Sequence, residues 1–224
     1  MNRLQIKYIL LNLIFWMMCC AMYGYATIFL QDRGLASGQI GLVKGGACVL
    51  MIVLSPYLST AILKIPGLGL RKMMGVMMTL ILGMCGVLCL RNLPLLLLMA
   101  LSTLINFLIL AMMPLMSNMG MAYMQAGEKV NYGVARGMGS FSYAVSAALF
   151  GYFTESAGGD VVLYACLGAG ILGLLLLANM PELPVERKEQ PEYMKGKYFK
   201  TMGKYKSFLG ILTGFALAFA ATTA

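Results

Sequence analysis

Seven stretches of the chain are nearly unbroken apolar runs: 8–30, 39–63, 73–90, 95–116, 132–154, 161–180 and 208–224. A helix that crosses a bilayer needs about 20 such residues, because the hydrocarbon core is about 30 Å thick. The first six runs meet that length, and the seventh stops at Ala224 without a polar flank. Backbone groups inside lipid find no water, so runs of this kind are expected to be helical. The composition agrees: 60% of residues are hydrophobic, 11% are charged, and the mean hydropathy is +0.82. A water-soluble domain is about half apolar and about a quarter charged. A soluble enzyme, a nucleic-acid-binding domain and a disordered tail are thereby excluded. The expected fold class is an all-α membrane protein, a six-transmembrane-helix bundle with a partial seventh helix. The first run is not a cleaved signal peptide, since it exceeds the length of such a core and Gln31-Asp32-Arg33 is no small-residue cleavage site.

Charge sets the expected orientation. The net charge is +9, and its location argues against a nucleic-acid partner. With the N-terminus in the cytoplasm, the inner connectors carry Arg3, Lys7, Lys64, Arg71, Lys72 and Lys129. The long inner loop adds Arg187, Lys188, Lys195, Lys197, Lys200, Lys204 and Lys206, whereas the outer connectors hold only Arg33 and Arg91. Excess Lys and Arg mark the cytoplasmic side. The expected placement is therefore a multi-pass protein of the cell membrane, N-terminus inside. Residues 1–180 are expected to form the six-helix unit, 181–207 a cytoplasmic interdomain loop, and 208–224 the truncated start of a seventh span. Met194, Tyr198, Met202 and Tyr205 fall near helical spacing among lysines, which suits an interfacial helix on an anionic leaflet. Gly196 and Gly203 weaken such a helix, and a solvated basic linker is the other reading. The missing polar flank leads us to expect a piece of a longer protein.

Charged residues inside spans cost at least about 2.5–3.5 kcal/mol each and are functional candidates by default. Lys44 and Arg136 are two such residues, and no carboxylate sits deep in any run. Arg136 is followed by Ser140, Tyr143 and Ala147 along one helical stripe. A guanidinium fork, a hydroxyl and a flat aromatic face suit a polar, ring-shaped solute such as a sugar or nucleoside. The alternative is an arginine snorkelling to the inner interface. Lys44 has the same two readings, with cavity lining set against snorkelling outward. Gly133/Gly137 and Gly41/Gly45 are GxxxG pairs that permit close helix contact.

Asn12, Trp16, Cys19, Tyr23 and Thr27 make a mildly polar stripe on the first span. Asn106 lies within the fourth run and Asn118 just past its inner end, with Pro114 between them to bend or break the helix. Asn12 and Asn106 are expected to hydrogen-bond across helices. The six cysteines all lie in apolar runs and read as packing residues, Cys85 and Cys89 included. The 21 methionines read as flexible packing. With no histidine, no deep carboxylate and no nucleophile–base pair, neither an enzyme nor a metal or cofactor site is expected.

Tyr25-Ala26-Thr27-Ile28-Phe29-Leu30, followed by Gly34-Leu35-Ala36-Ser37-Gly38-Gln39-Ile40-Gly41, resembles the first helix, outer loop and second-helix start of major facilitator transporters. Pro56 and Leu68-Gly69-Leu70-Arg71-Lys72 are similar to the second helix and loop 2–3 of the oligosaccharide and nucleoside proton symporter branches. Tyr132-Gly133-Val134-Ala135-Arg136-Gly137-Met138-Gly139-Ser140 resembles their fifth-helix entry. The resemblance covers nearly the whole chain and implies an N-terminal half of that fold. It implies that Arg136 and Ser140 bind solute and that Tyr143 stacks on it. In the lactose branch the fourth helix supplies a sugar-binding carboxylate eighteen residues earlier. Here that position is Asn118, which points away from lactose. The acidic residue that usually precedes the basic pair of loop 2–3 has no counterpart in Leu63-Lys64-Ile65-Pro66-Gly67. The implied function is secondary active transport of a small polar solute by alternating access, with proton symport. The expected solute-binding set is Arg136, Ser140, Tyr143, Asn118, Tyr23 and Lys44. The expected partners are the solute, protons, the lipid bilayer, and either the missing C-terminal half or a second copy of the chain. The competing reading is a nonfunctional or partner-dependent membrane fragment with a structural role.

Overall fold

The computed structural model describes residues 2–64, 69–182, 210, 211 and 214, the side chains of 56 and 59–64 excepted. The long inner loop beyond Glu182, its basic segment at 193–206 and most of the seventh run lie outside the described residues. Every regular element among the described residues is helical. The elements are α1 (Arg3–Cys19), a π-helical turn (Cys20–Gly24), α2 (Ala26–Asp32), α3 (Ser37–Lys64), α4 (Leu70–Leu88), α5 (Leu95–Gln125), α6 (Tyr132–Ala157) and α7 (Asp160–Ala178). Five segments are long and apolar enough to cross a membrane: Arg3–Gly24, Ser37–Ser55, Leu70–Leu88, Leu95–Gln125 and Asp160–Ala178. The sixth long helix, α6, is more polar than these, with Arg136, Ser140, Ser142 and Ser146 among its 26 residues.

Local chemistry explains the boundaries. Asn131 caps α6 by accepting a hydrogen bond from the Val134 amide at 3.0 Å, which satisfies a donor that the first turn leaves free. Helices α5 and α6 end at Gly127 (φ 80°) and Gly158 (φ 81°). Left-handed backbone there favours glycine, which has no Cβ to clash. Two expectations need correction. Pro114 neither breaks nor ends α5, which continues to Gln125 for 31 residues, or about 46 Å. Asn118 therefore lies within the helix, exposed, and not beyond its end. The first span is not one uniform helix: it widens at Cys20–Gly24, where the Tyr25 amide reaches the Cys20 carbonyl at 2.9 Å, and then resumes as α2.

The helices order in space as α6, α1, α7, α4, α5, α3. Helix α1 and the π turn pack between α6 and α7, with Tyr8, Leu11, Phe15, Met18, Cys19 and Cys20 fully buried. In lipid, apolar surface alone does not drive helices together, so close packing and polar contacts must do so. Glycines supply the close approaches. A Cβ at Gly170 would lie 3.1 Å from Leu82 Cγ, and one at Gly173 would lie 2.7 Å from Met78 Cε, both on the α4–α7 seam.

Polar clusters fasten both ends of the bundle. On the side opposite the N-terminus, Arg33 donates to Asp160 Oδ1 at 2.8 and 3.1 Å and to the Leu88 and Leu90 carbonyls. Arg91 donates to Asp160 Oδ2 at 2.9 Å, and the Gly159 amide donates to Asp32. On the N-terminal side, Arg71 donates to the carbonyls of Ala178 and Met180 and pairs with Glu182 at 3.3 Å. Lys72 lies 3.6 Å from the same carboxylate. Lys7 donates to the Asn179 carbonyl, and Tyr123 to that of Pro181. Cations at the C-terminal end of α7 also meet the negative end of its dipole.

Candidate functional site

The site grows from α6 where it lies against α1. Arg136 leaves α6 in its second turn and donates from Nη1 to Ser140 Oγ at 2.8 Å. Ser140 is one turn farther into the helix, so the guanidinium runs along the bundle and away from the Lys129 connector. A snorkelling arginine would extend the other way, towards that connector and water. The guanidinium carbon stands 4.0 Å from the centre of the Trp16 ring, within cation–π range. The Trp16 and Tyr143 rings meet edge to face, with centroids 6.2 Å apart and planes at 72°.

Two glycines make this contact sterically possible. A Cβ at Gly139 would overlap the indole of Trp16, standing 2.8 Å from Nε1. A Cβ at Gly24 would stand 2.7 Å from Tyr143 Oη. The Tyr143 hydroxyl thus seats against the widened turn of the first span. Hydrogen bonds on both sides hold the two helices in register: Ser142 Oγ donates to the Leu13 carbonyl at 2.7 Å, and Tyr25 Oη to the Ala147 carbonyl at 2.6 Å.

A second cation lies on the other flank. Lys44, from α3, places Nζ 5.8 Å from the centre of the Tyr23 ring. Trp16 and Tyr23 are seven residues apart on the first span, or about 10 Å along its axis. Trp16 and Tyr23 therefore each carry one cation. Among the described residues, no carboxylate pairs with Arg136 or Lys44. Asp160 and Glu182 are taken by Arg33, Arg91, Arg71 and Lys72. Ser140 is exposed, and Arg136, Trp16, Tyr143, Tyr23 and Lys44 are half-buried, so the cluster forms an open wall.

The structure thus brings Arg136, Ser140 and Tyr143 together, and separately Tyr23 and Lys44. Among the described residues, no hydrogen bond ties Asn118 to either group. The sequence placed Trp16 in a polar stripe without joining it to Arg136. Its signal was Gly139, which admits the indole, whereas the Gly133/Gly137 and Gly41/Gly45 pairs make no close cross-helix contact among the described residues. Asn12 and Asn106 depart from the expected cross-helix bonding. Each donates to its own helix, Asn12 to the Tyr8 carbonyl and Asn106 to that of Ser102. Buried Asn106 Oδ1 and Ser102 Oγ find no hydrogen-bond partner among the described residues.

No curated protein and no solved structure matches the chain. One protein-family model, described as the MFS_1 like family, matches residues 4–221. That match takes in every helix of the bundle and both flanks of the aromatic–cation wall, and by it this chain belongs to the MFS_1 like family and is a major-facilitator-like membrane protein.

Proposed function

We propose that residues 1–180 form one half of a secondary transporter that moves a small polar solute, sugar- or nucleoside-like, by alternating access. The observation that carries this reading is the direction of Arg136, which turns along the bundle onto Trp16 and Ser140 with no carboxylate among the described residues to neutralise it. A charge held there without a partner costs several kcal/mol unless a ligand, water or a second wall meets it. The Tyr143 ring gives a solute a flat face, and Arg136 and Ser140 give it donors. Lys44 and Tyr23 extend the wall, and Asn118 lies farther along α5. The family match supports transport as the activity. The resemblance of the fifth-helix entry to that of the oligosaccharide and nucleoside symporters supports proton coupling, with the coupling groups in a second half. That half, or a second copy of the chain, would supply the facing wall across residues 181–207, in a cell membrane with the N-terminus inside.

The test is uptake. Cells in which this half is joined by the half or second copy that completes the cavity should accumulate a labelled ring solute from a panel of sugars and nucleosides, and Tyr143→Ala should abolish accumulation while Tyr143→Phe preserves most of it. Equal uptake by Tyr143→Ala at matched expression would contradict the assignment.

A further inference from the structure

We infer that the solute is an organic anion: a planar or ring-shaped molecule bearing a carboxylate or phosphate group. This rests on the reading of the Trp16–Arg136 face as a solute wall, and it deepens that reading by naming the charge.

The argument is one of electrostatic balance. The wall presents two cations, Arg136 over Trp16 and Lys44 over Tyr23. All eight acidic residues of the chain lie in connectors or at the ends of runs. Of the five in the described residues, Asp160 and Glu182 are engaged by Arg33, Arg91, Arg71 and Lys72, and Asp32 accepts from the Gly159 amide. Glu128 and Glu155 are exposed, in the α5–α6 connector and the last turn of α6. A cation–π contact leaves the charge itself uncompensated. A neutral sugar would accept hydrogen bonds from Arg136 but would leave both cations without a counter-charge from the described residues. An anion neutralises one or both, and the planar guanidinium matches the two oxygens of a carboxylate or phosphate. The Trp16 and Tyr143 rings then stand beside the Arg136 fork, where the flat part of the same molecule would lie. Lys44 sits about 10 Å farther along the first span, so a second anionic group could meet it.

Trp16 is the only tryptophan in the chain, so intrinsic fluorescence reports directly from the wall. The purified full chain in lipid nanodiscs should be titrated with matched pairs of probes: glucuronate against glucose, and uridine monophosphate against uridine. The anionic member of at least one pair should shift or quench Trp16 emission saturably, about tenfold or more tighter than its neutral partner. Arg136→Gln should erase that preference. Arg136→Lys should keep the preference at lower affinity, and Lys44→Gln should reduce it for the doubly charged probe more than for the singly charged one. Neutral members binding as tightly as anionic ones would overturn the inference and leave the solute wall intact. No probe of either kind altering Trp16 emission would overturn the solute wall, and the inference with it.

Discussion

Arg136 and Trp16 meet as a stacked pair, 4.0 Å from guanidinium carbon to ring centre, at the point where Gly139 lets α6 press against α1. The pair joins two helices that are far apart in sequence and adjacent in the bundle. It fixes the direction of a charge that would otherwise reach for the membrane surface. It also places the chain's only indole in the wall proposed to meet the solute.

Gly139→Ala should displace that indole. The added methyl would overlap the Trp16 ring, and overpacking of this kind typically costs about 1–3 kcal/mol. Trp16 emission should change in the unliganded protein, and the thermal midpoint should fall. Gly137→Ala, which meets open space, serves as the control. Identical emission spectra for the two variants would contradict the packing described.

The ion cluster opposite the N-terminal side should be asymmetric in its energetics. The Arg33 and Asp160 side chains are 10% and 16% exposed, whereas Arg91 is 80% exposed. Asp160→Asn leaves the enclosed Arg33 without its counter-ion, and breaking such a pair costs about 3 kcal/mol or more. Arg91→Ala removes an exposed partner worth about 1 kcal/mol or less. Thermal unfolding in detergent should rank Asp160→Asn well below Arg91→Ala.

The α4–α7 seam can be checked by cross-linking. The Sγ atoms of Cys85 and Cys166 lie 3.9 Å apart on neighbouring helices. Mild copper-catalysed oxidation should join them, so that fragments cut between α5 and α6 stay together until reduced. Replacing either cysteine by alanine should release the fragments, and persistence of the cross-link in Cys166→Ala would place a different helix beside α4.

The orientation proposed from the placement of basic residues is tested by labelling. In a background lacking reactive native thiols, Lys188→Cys should react with an impermeant reagent only from the cytoplasmic side, and Arg33→Cys only from outside. Labelling of Lys188→Cys in intact cells would reverse the topology.

Much of the fold was legible because span length is dictated by lipid thickness. The runs at 39–63, 73–90, 132–154 and 161–180 correspond to α3, α4, α6 and α7, with ends differing by a few residues. The break in the first span was not legible, because its companion is Tyr143, more than a hundred residues away, seated against Gly24. The extension of α5 was missed because Pro114 reads as a stop, while the helix-forming residues after it carry the helix on to Gln125. At the site, the Arg136–Ser140–Tyr143 stripe was visible because it lies on one helix. The Arg136–Trp16 and Lys44–Tyr23 pairs were not, because each depends on which helices become neighbours, and periodicity within one helix is silent about that.

The most direct test of the solute wall is the affinity of Arg136→Lys for glucuronate or uridine monophosphate, whichever the parent chain binds, measured beside its expression level. Lysine keeps the charge but loses the planar fork. If the guanidinium contacts the solute, affinity should fall by about ten- to a hundredfold at unchanged expression, the loss of a charge-assisted hydrogen bond. Affinity equal to that of the parent chain would show that any cation serves at this position, leaving Arg136 as an anchor and contradicting the account.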